Sequence, residues 1–333
     1  MKKLLLGIAA VCLAGFTFAQ DAPLWMRHSV ISPDGTTIAF TYKGDIYTVP
    51  VAGGRAMQIT TNPAYDTAPV WSPDSKRIAF ASDRMGSLDV YIVAKDGGEP
   101  RRLTTHSGSE TPLAFTDAGH VLFSAGIMPS AEAVVFPSNG QFNQVYRVSV
   151  EGGRPTMISS MPMECISINK EGAMLYQDKK GYEDYWRKHH VSPIARDIWM
   201  YTPGKEPQYR QLTTFGGEDR EPVWAPDGKT FYYLSEENGS FNIYRRTPGD
   251  AKAVQLTHYT KNPVRYLSAA TDGRLCYGFD GEIYTLLPGG EAQKVNISIV
   301  SDRNDKDIIR QIKSSGATEM AVSPDGKEVA FVL

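Results

Sequence analysis

Cysteine is scarce in these 333 residues: there are three, Cys12, Cys165 and Cys276. That count excludes a disulfide-stapled scaffold, and Cys165 and Cys276 read as buried, unpaired thiols two repeats apart. An excess of charge of either sign is also lacking. Lysine and arginine number 35 against 37 acidic residues, a net charge of -2, so the basic surface that nucleic acid or an anionic membrane would attract is missing. No long helical period interrupts the chain, which excludes an α/β enzyme fold. No Gly-x-Ser-x-Gly phrase presents a serine nucleophile. The histidines, His28, His106, His120, His189, His190 and His258, are scattered, and the adjacent pair would point to opposite sides of an extended segment. Asp302, Asp305 and Asp307 lack the spacing and glycine of a calcium loop. No catalytic residue, metal or cofactor is therefore expected within this chain.

What is present is repetition. An acidic-or-amide, β-branched, aromatic phrase recurs as Asp45-Ile46-Tyr47, Asp89-Val90-Tyr91, Gln144-Val145-Tyr146, Asp197-Ile198-Trp199, Asn242-Ile243-Tyr244 and Glu282-Ile283-Tyr284. Each copy follows a tight turn of the type Ser32-Pro33-Asp34-Gly35, in which proline presets the first corner and glycine accepts positive φ. The turn aspartates read as Asx caps of the turn backbone rather than as a carboxylate cluster. Each copy precedes a short strand such as Gln58-Ile59-Thr60 or Gln211-Leu212-Thr213. Repeats of roughly 40 to 56 residues with four strands each are propeller blades. The fold class is all-β: a six-bladed β-propeller of four-stranded antiparallel blades over residues 24–299, followed by the first strands of a second propeller. Trp71, Trp199 and Trp224 are expected in the cores between blades. Because neither end blade borrows a strand from the other terminus, ring closure is expected to rest on side-chain packing.

The termini carry their own signals. Lys2 and Lys3, the apolar run Leu4 to Phe16 and small Ala19 make residues 1–19 a secretory signal peptide, too short to span a bilayer. Residues 300–318 read as a polar linker. Residues 319–333 repeat the opening of a blade and stop within Val329-Ala330-Phe331-Val332-Leu333, an edge that a chain end rarely leaves unpaired. The sequence is therefore expected to be a fragment whose remainder continues a second propeller.

The least repetitive stretches are Met128 to Phe142 and Tyr182 to Arg196. Loops on a rigid scaffold concentrate binding function, so Tyr185, Trp186, Arg187, Lys188, His189 and His190 are the candidate partner or peptide surface. Tyr185-Trp186-Arg187-Lys188 with Ala195-Arg196-Asp197-Ile198-Trp199, Gly44 to Val51 with Gly53-Gly54, and Phe142-Asn143-Gln144-Val145-Tyr146 resemble the N-terminal propeller of tricorn-type serine peptidases. The resemblance spans essentially the whole chain after residue 19. It implies a six-bladed and a seven-bladed ring, a PDZ-like module and a serine–histidine catalytic domain, assembled as a homohexamer that degrades oligopeptides. Its catalytic residues fall beyond Leu333, and its peptide-anchoring arginine pair has no counterpart in Ser107 to Pro112. The expected role is a non-catalytic substrate or product channel and docking scaffold, exported to the periplasm, with no nucleic acid, cofactor or membrane partner after signal cleavage. The alternative is a non-enzymatic periplasmic propeller that binds a protein partner, as the Tol-system propeller does.

Overall fold

A computed structural model describes residues 23–127, 142–181, 191–300 and 315–332. All regular structure in these residues is β. The chain divides into two compact units, 1–299 and 300–333.

Six four-stranded antiparallel sheets make up the first unit, each paired in simple sequence order. Blade 1 runs Arg27–Ile31, Thr37–Tyr42, Asp45–Pro50 and Met57–Gln58; blade 2 runs Asp66–Trp71, Arg77–Ser82, Asp89–Ala94 and Arg101–Arg102. Blade 3 contains Glu110–Asp117, His120–Ala125, Gln144–Ser149 and Thr156–Ser159, and blade 4 contains Met163–Ile168, Met174–Asp178, Ile198–Thr202 and Gln208–Gln211. Blade 5 is Asp219–Trp224, Phe231–Ser235, Asn242–Arg246 and Val254–Gln255, and blade 6 is Arg265–Ala269, Leu275–Phe279, Glu282–Leu286 and Gln293–Lys294. The first strands of successive blades are neighbours, and the sixth returns to the first, so the sheets stand in a ring.

The repeated phrases now have causes. The aromatic residue of the third strand lies opposite one on the second: Phe40 on Tyr47, Phe80 on Tyr91, Phe123 on Tyr146, Tyr233 on Tyr244 and Tyr277 on Tyr284, with ring centroids 5.6–5.9 Å apart. Such stacked cross-strand pairs add stabilisation beyond burial. The acid opening the third strand meets a polar residue of the fourth: Asp45 with Gln58, Asp89 with Arg102, Asp197 with Gln211 and Glu282 with Lys294. The fourth-strand threonine hydroxyl accepts from the β-branched residue's N–H at 2.9 Å in Thr60–Ile46, Thr104–Val90, Thr213–Ile198 and Thr257–Ile243.

The turn aspartates cap backbone, as expected. Asp34, Asp74, Asp227, Asp272 and Asp325 each accept from an N–H two residues on, and no carboxylate cluster results. Burial occurs at the seams. Six hydrophobic clusters each straddle two adjacent blades, for example Ala39, Ile46 and Ile59 against Trp71, Ile78 and Phe80. One blade's sheet faces two seams because successive side chains alternate: Phe40 enters the blade 6–1 core and Ala39 the blade 1–2 core. Trp71 donates to Val30 O at 3.0 Å and Trp224 to Ala173 O at 3.1 Å, tying each to the preceding blade.

Closure differs from the sequence expectation. After the last strand of blade 6, Ile297–Ser298 pairs in parallel with Gly54–Arg55 of blade 1. Gly54 N donates to Asn296 O at 2.8 Å and Ala56 N to Ser298 O at 2.9 Å, while Met26 N reaches Gly281 O and Thr271 N reaches Pro33 O. The ring is thus latched by backbone hydrogen bonds as well as packed. The latch is short, two residues a side, which is why no strand period announced it.

The second unit's described part is one antiparallel hairpin, Glu319–Val322 with Val329–Val332. The proposed signal segment and most of the linker lie outside the described residues.

Candidate functional site

Chain reversal in an antiparallel blade puts the start of the first strand, the end of the second, the start of the third and the end of the fourth at one rim. Both non-repetitive inserts join a second strand to a third, so their described flanks lie at this rim. The candidate residues Tyr185, Trp186, Arg187, Lys188, His189 and His190 lie outside the described residues, as do residues 128–141. What the structure places is the stem of the second insert.

That stem is fixed by charge. Lys180 Nζ donates to Ala195 O at 2.7 Å and to Asp197 Oδ2 at 2.5 Å. Asp178 accepts from Asp197 N at 2.8 Å and from Trp199 Nε1 at 3.0 Å; burial raises its carboxyl above the ordinary value. Arg196 was grouped with the surface insert on sequence grounds, yet it is buried. Its Nε lies 3.2 Å from Glu164 Oε2 and its Nη1 lies 3.4 Å from Glu218 Oε1. Arg220 Nε in turn reaches Glu218 Oε2 at 2.8 Å, and Lys179 reaches Glu164 Oε1 at 3.3 Å. Signs alternate through Lys179, Glu164, Arg196, Glu218 and Arg220, which is the arrangement that makes such burial tolerable. Burial alone would push Glu164 up, but Arg196, a Gln177 hydrogen bond and Lys179 together hold its carboxyl below the usual value.

The first strands converge on the ring's axis, and all six carry an irregularity. Register shifts fall between Arg27 and Val30, Thr67 and Val70, Pro112 and Ala114, Glu164 and Ser167, Arg220 and Val223, and Arg265 and Ser268. Five of these bulges hold a non-glycine residue at positive φ: His28, Ala68, Cys165, Glu221 and Tyr266, between 49° and 58°. Bulges re-aim side chains. Cys165 is exposed, correcting the expectation of a buried thiol, while Cys276 is buried. Although solvent reaches Cys165, desolvation by the surrounding protein, then Glu221 and Glu164, raises its thiol well above the ordinary value, so it is not an activated nucleophile. His28 packs at a tilt against Tyr266 with centroids 5.0 Å apart and lies 3.1 Å from Thr67 Oγ1. Burial, then Arg27, lowers its pKa to about 4, leaving a neutral imidazole. Its hydroxyl neighbour is thus a threonine in a bulge, with an aromatic ring rather than a carboxylate against the imidazole.

Among the described residues no group of three or more His, Cys, Asp or Glu side chains could hold a metal ion. The sequence reading missed the interior network, although a signal existed: Asp66-Thr67-Ala68-Pro69-Val70-Trp71 and Asp219-Arg220-Glu221-Pro222-Val223-Trp224 place acids at the same strand start. Acids so placed in otherwise apolar strands are buried and must find partners.

An all-β ring of six four-stranded antiparallel blades is a six-bladed β-propeller. Residues 23–292 match the family described as "Tricorn protease N-terminal beta propeller domain", and the chain belongs to that family. It is 26% identical over 289 residues to Tricorn protease homolog 1 of Streptomyces coelicolor, covering 85% of this chain and 26% of the relative. Tricorn protease homolog of Saccharolobus solfataricus is 23% identical over 297 residues, covering 84% and 26%. The chain therefore spans about a quarter of the length of these curated relatives. Among solved structures, that of the tricorn protease aligns with a TM-score of 0.68 at 19% identity, covering 93% of this chain and 29% of that one. TolB from Acinetobacter baumannii aligns at 0.60 and 15% identity, covering 78% and 62%. These two likenesses establish the fold.

Proposed function

We propose that this chain is the non-catalytic propeller portion of an exported, tricorn-like serine peptidase that degrades oligopeptides, in which the ring serves as substrate or product channel and docking scaffold. The observation that carries this reading is the family match over residues 23–292, together with a first-strand ring that offers polar side chains without an activated nucleophile. Hydrolysis then belongs to another region of a longer polypeptide, assembled as a homo-oligomer. Export is supported by Lys2, Lys3 and the apolar run that follows them. The insert centred on Trp186 is the docking element.

The test has two arms. The purified chain should not cleave a fluorogenic oligopeptide, whereas the longer polypeptide should, and deleting residues 182–190 while keeping Arg196 should slow that cleavage without shifting unfolding of the ring. Cleavage by the chain alone, abolished by substituting one of its own residues, would overturn the proposal. Stable capture of a single protein partner by a longer polypeptide that hydrolyses nothing would favour the partner-binding alternative.

A further inference from the structure

At the insert-bearing rim a backbone hydrogen bond crosses four of the seams, from an N–H at the start of one blade to the carbonyl just before the preceding blade's third-strand phrase: Asp66 N to Gly44 O, Glu110 N to Leu88 O, Asp219 N to Arg196 O and Val264 N to Phe241 O. These bonds set Asp45 beside Asp66, Asp89 beside Glu110, Asp197 beside Asp219 and Asn242 beside Val264. Three seams therefore set acid toward acid in the interior. We propose that Asp89 and Glu110 share one proton across the seam between blades 2 and 3, forming an acid–carboxylate hydrogen bond that fastens these blades and loosens on deprotonation.

The charge count leads to this. Both side chains are fully buried, at 0% exposure. Asp89 Oδ2 is 2.9 Å from Arg102 Nη2, the one cation in contact with the pair among the described residues. Two carboxylates on one guanidinium leave an uncompensated buried charge, which proteins avoid by retaining a proton. The oxygens agree: with Asp89 Oδ2 on Arg102, Asp89 Oδ1 and Glu110 Oε1 are buried without a hydrogen-bond donor, and a carboxylic proton between the two groups supplies one. Glu110 Oε2 accepts from His106 N at 3.3 Å, so it is the oxygen already served. Glu110 is raised to about 7, by burial first, against the lowering effect of Thr104 and the His106 N–H, with Asp89 adding to the rise.

Among the described residues the surroundings do not supply a second cation. Blade 2 presents Asp66, held by Arg84 at 3.1 Å, and Tyr91, while His106 lies on the link to blade 3. On blade 4's first strand the charged side chain is Glu164, already engaged by Arg196 and Lys179. The second strand of blade 3 places His120 at the far end, on Asp117. The other seams meet the same geometry differently. Arg84 donates twice to Asp66 at the first, and Asn242, an uncharged amide, faces Val264 at the fifth, its Oδ1 accepting from Thr257 Oγ1 and Tyr259 N. Asp219, set toward Asp197, is likewise raised to about 7, by burial first.

The linkage sign follows from the raised value. The folded state holds the proton between Glu110's ordinary value of 4.5 and about 7, and the unfolded chain does not. Stability from this pair is complete below that window, falls as pH rises through it, and is flat above. The test compares thermal and urea unfolding of the chain with Glu110→Gln in an Asp219→Asn background, from about pH 5 to about pH 8. The amide keeps a donor toward Asp89 without titrating. The parent folding constant should drop by up to about tenfold per pH unit relative to Glu110→Gln inside the window. Carboxyl carbon NMR of the unmutated chain should show one glutamate titrating near neutrality, absent in Glu110→Gln. Equal pH slopes in the two proteins, or titration of Glu110 in the ordinary carboxylate range, would overturn the proposal.

Discussion

Replacing Gly53 by alanine should open the ring's latch, and the molecule provides its own control. Gly53 sits at φ +86°, and a Cβ there would lie 2.5 Å from Asn296 O and 3.2 Å from Asn296 N. Asn296 O is the acceptor for Gly54 N, so the methyl group can be admitted only by pushing the Ile297–Ser298 strand away. Gly97 occupies the same turn of blade 2 at φ +89°, closed by the same hydrogen bond three residues back, but its nearest neighbour would be Ile59 O at 3.9 Å. Left-handed backbone costs alanine about 1–2 kcal/mol at either site. Losing the two latch bonds, Gly54 N to Asn296 O and Ala56 N to Ser298 O, adds about 1 kcal/mol each at Gly53 alone. Urea unfolding should therefore place Gly53→Ala about 2 kcal/mol below Gly97→Ala. Hydrogen exchange at the Gly54 and Ala56 amides should accelerate about thirtyfold in the first variant only. Equal destabilisation of the two variants with unchanged exchange at those amides would show that closure rests on side-chain packing after all.

Other outcomes follow from the same contacts. Phe80→Ala removes a fully buried ring stacked 5.9 Å from Tyr91 and should cost about 3–5 kcal/mol by chemical denaturation. Arg196→Ala removes the cation shared by Glu164 and Glu218, leaving Lys179 and Arg220 as their remaining partners, and should cost about 1.5–3 kcal/mol. Glu164's lowered pKa stabilises above its ordinary value of 4.5 and that contribution is lost on acidification, so this acid limb of the stability–pH curve should weaken or reverse in the variant. Cys165, exposed but with a strongly raised pKa, should alkylate slowly at neutral pH and faster as pH climbs, while Cys276 should stay unlabelled until unfolding; peptide mapping distinguishes them.

The blades were legible because their sequence phrases are local contacts. Tyr47, Tyr91, Tyr146, Tyr244 and Tyr284 stack on a ring one hairpin away, and Thr60, Thr104, Thr213 and Thr257 cap an N–H fourteen or fifteen residues back. Period and spacing record such pairings directly. Closure was not legible, since Ile297–Ser298 is too short for periodicity and meets Gly54–Arg55 only once six blades have curved round. Cys165 was misread for a related reason: strand alternation sends it inward, and a bulge at φ 52° re-aims it. Arg196 looked like part of a basic surface insert because its counterions, Glu164 and Glu218, come from two other strand ends. The charged interior is a property of ring geometry, with partners chosen across blades rather than along the chain.

That geometry also commits particular polar residues to closing the ring. A bulge leaves backbone N–H groups unpaired within its own blade. Here the preceding blade supplies the acceptor: Gln177 takes Glu221 N at 2.9 Å, Ser167 takes Trp224 N at 3.1 Å, Glu221 takes Leu267 N at 2.8 Å and Ser268 takes Ile31 N at 3.1 Å. Each of these side chains answers a backbone donor that would otherwise be buried unsatisfied, at a cost of about 1–3 kcal/mol. The strained residues persist because the neighbouring blade holds the backbone on both sides of them. Gln177, Ser167, Glu221 and Ser268 are therefore committed to the scaffold, and substituting them would test closure rather than channel function.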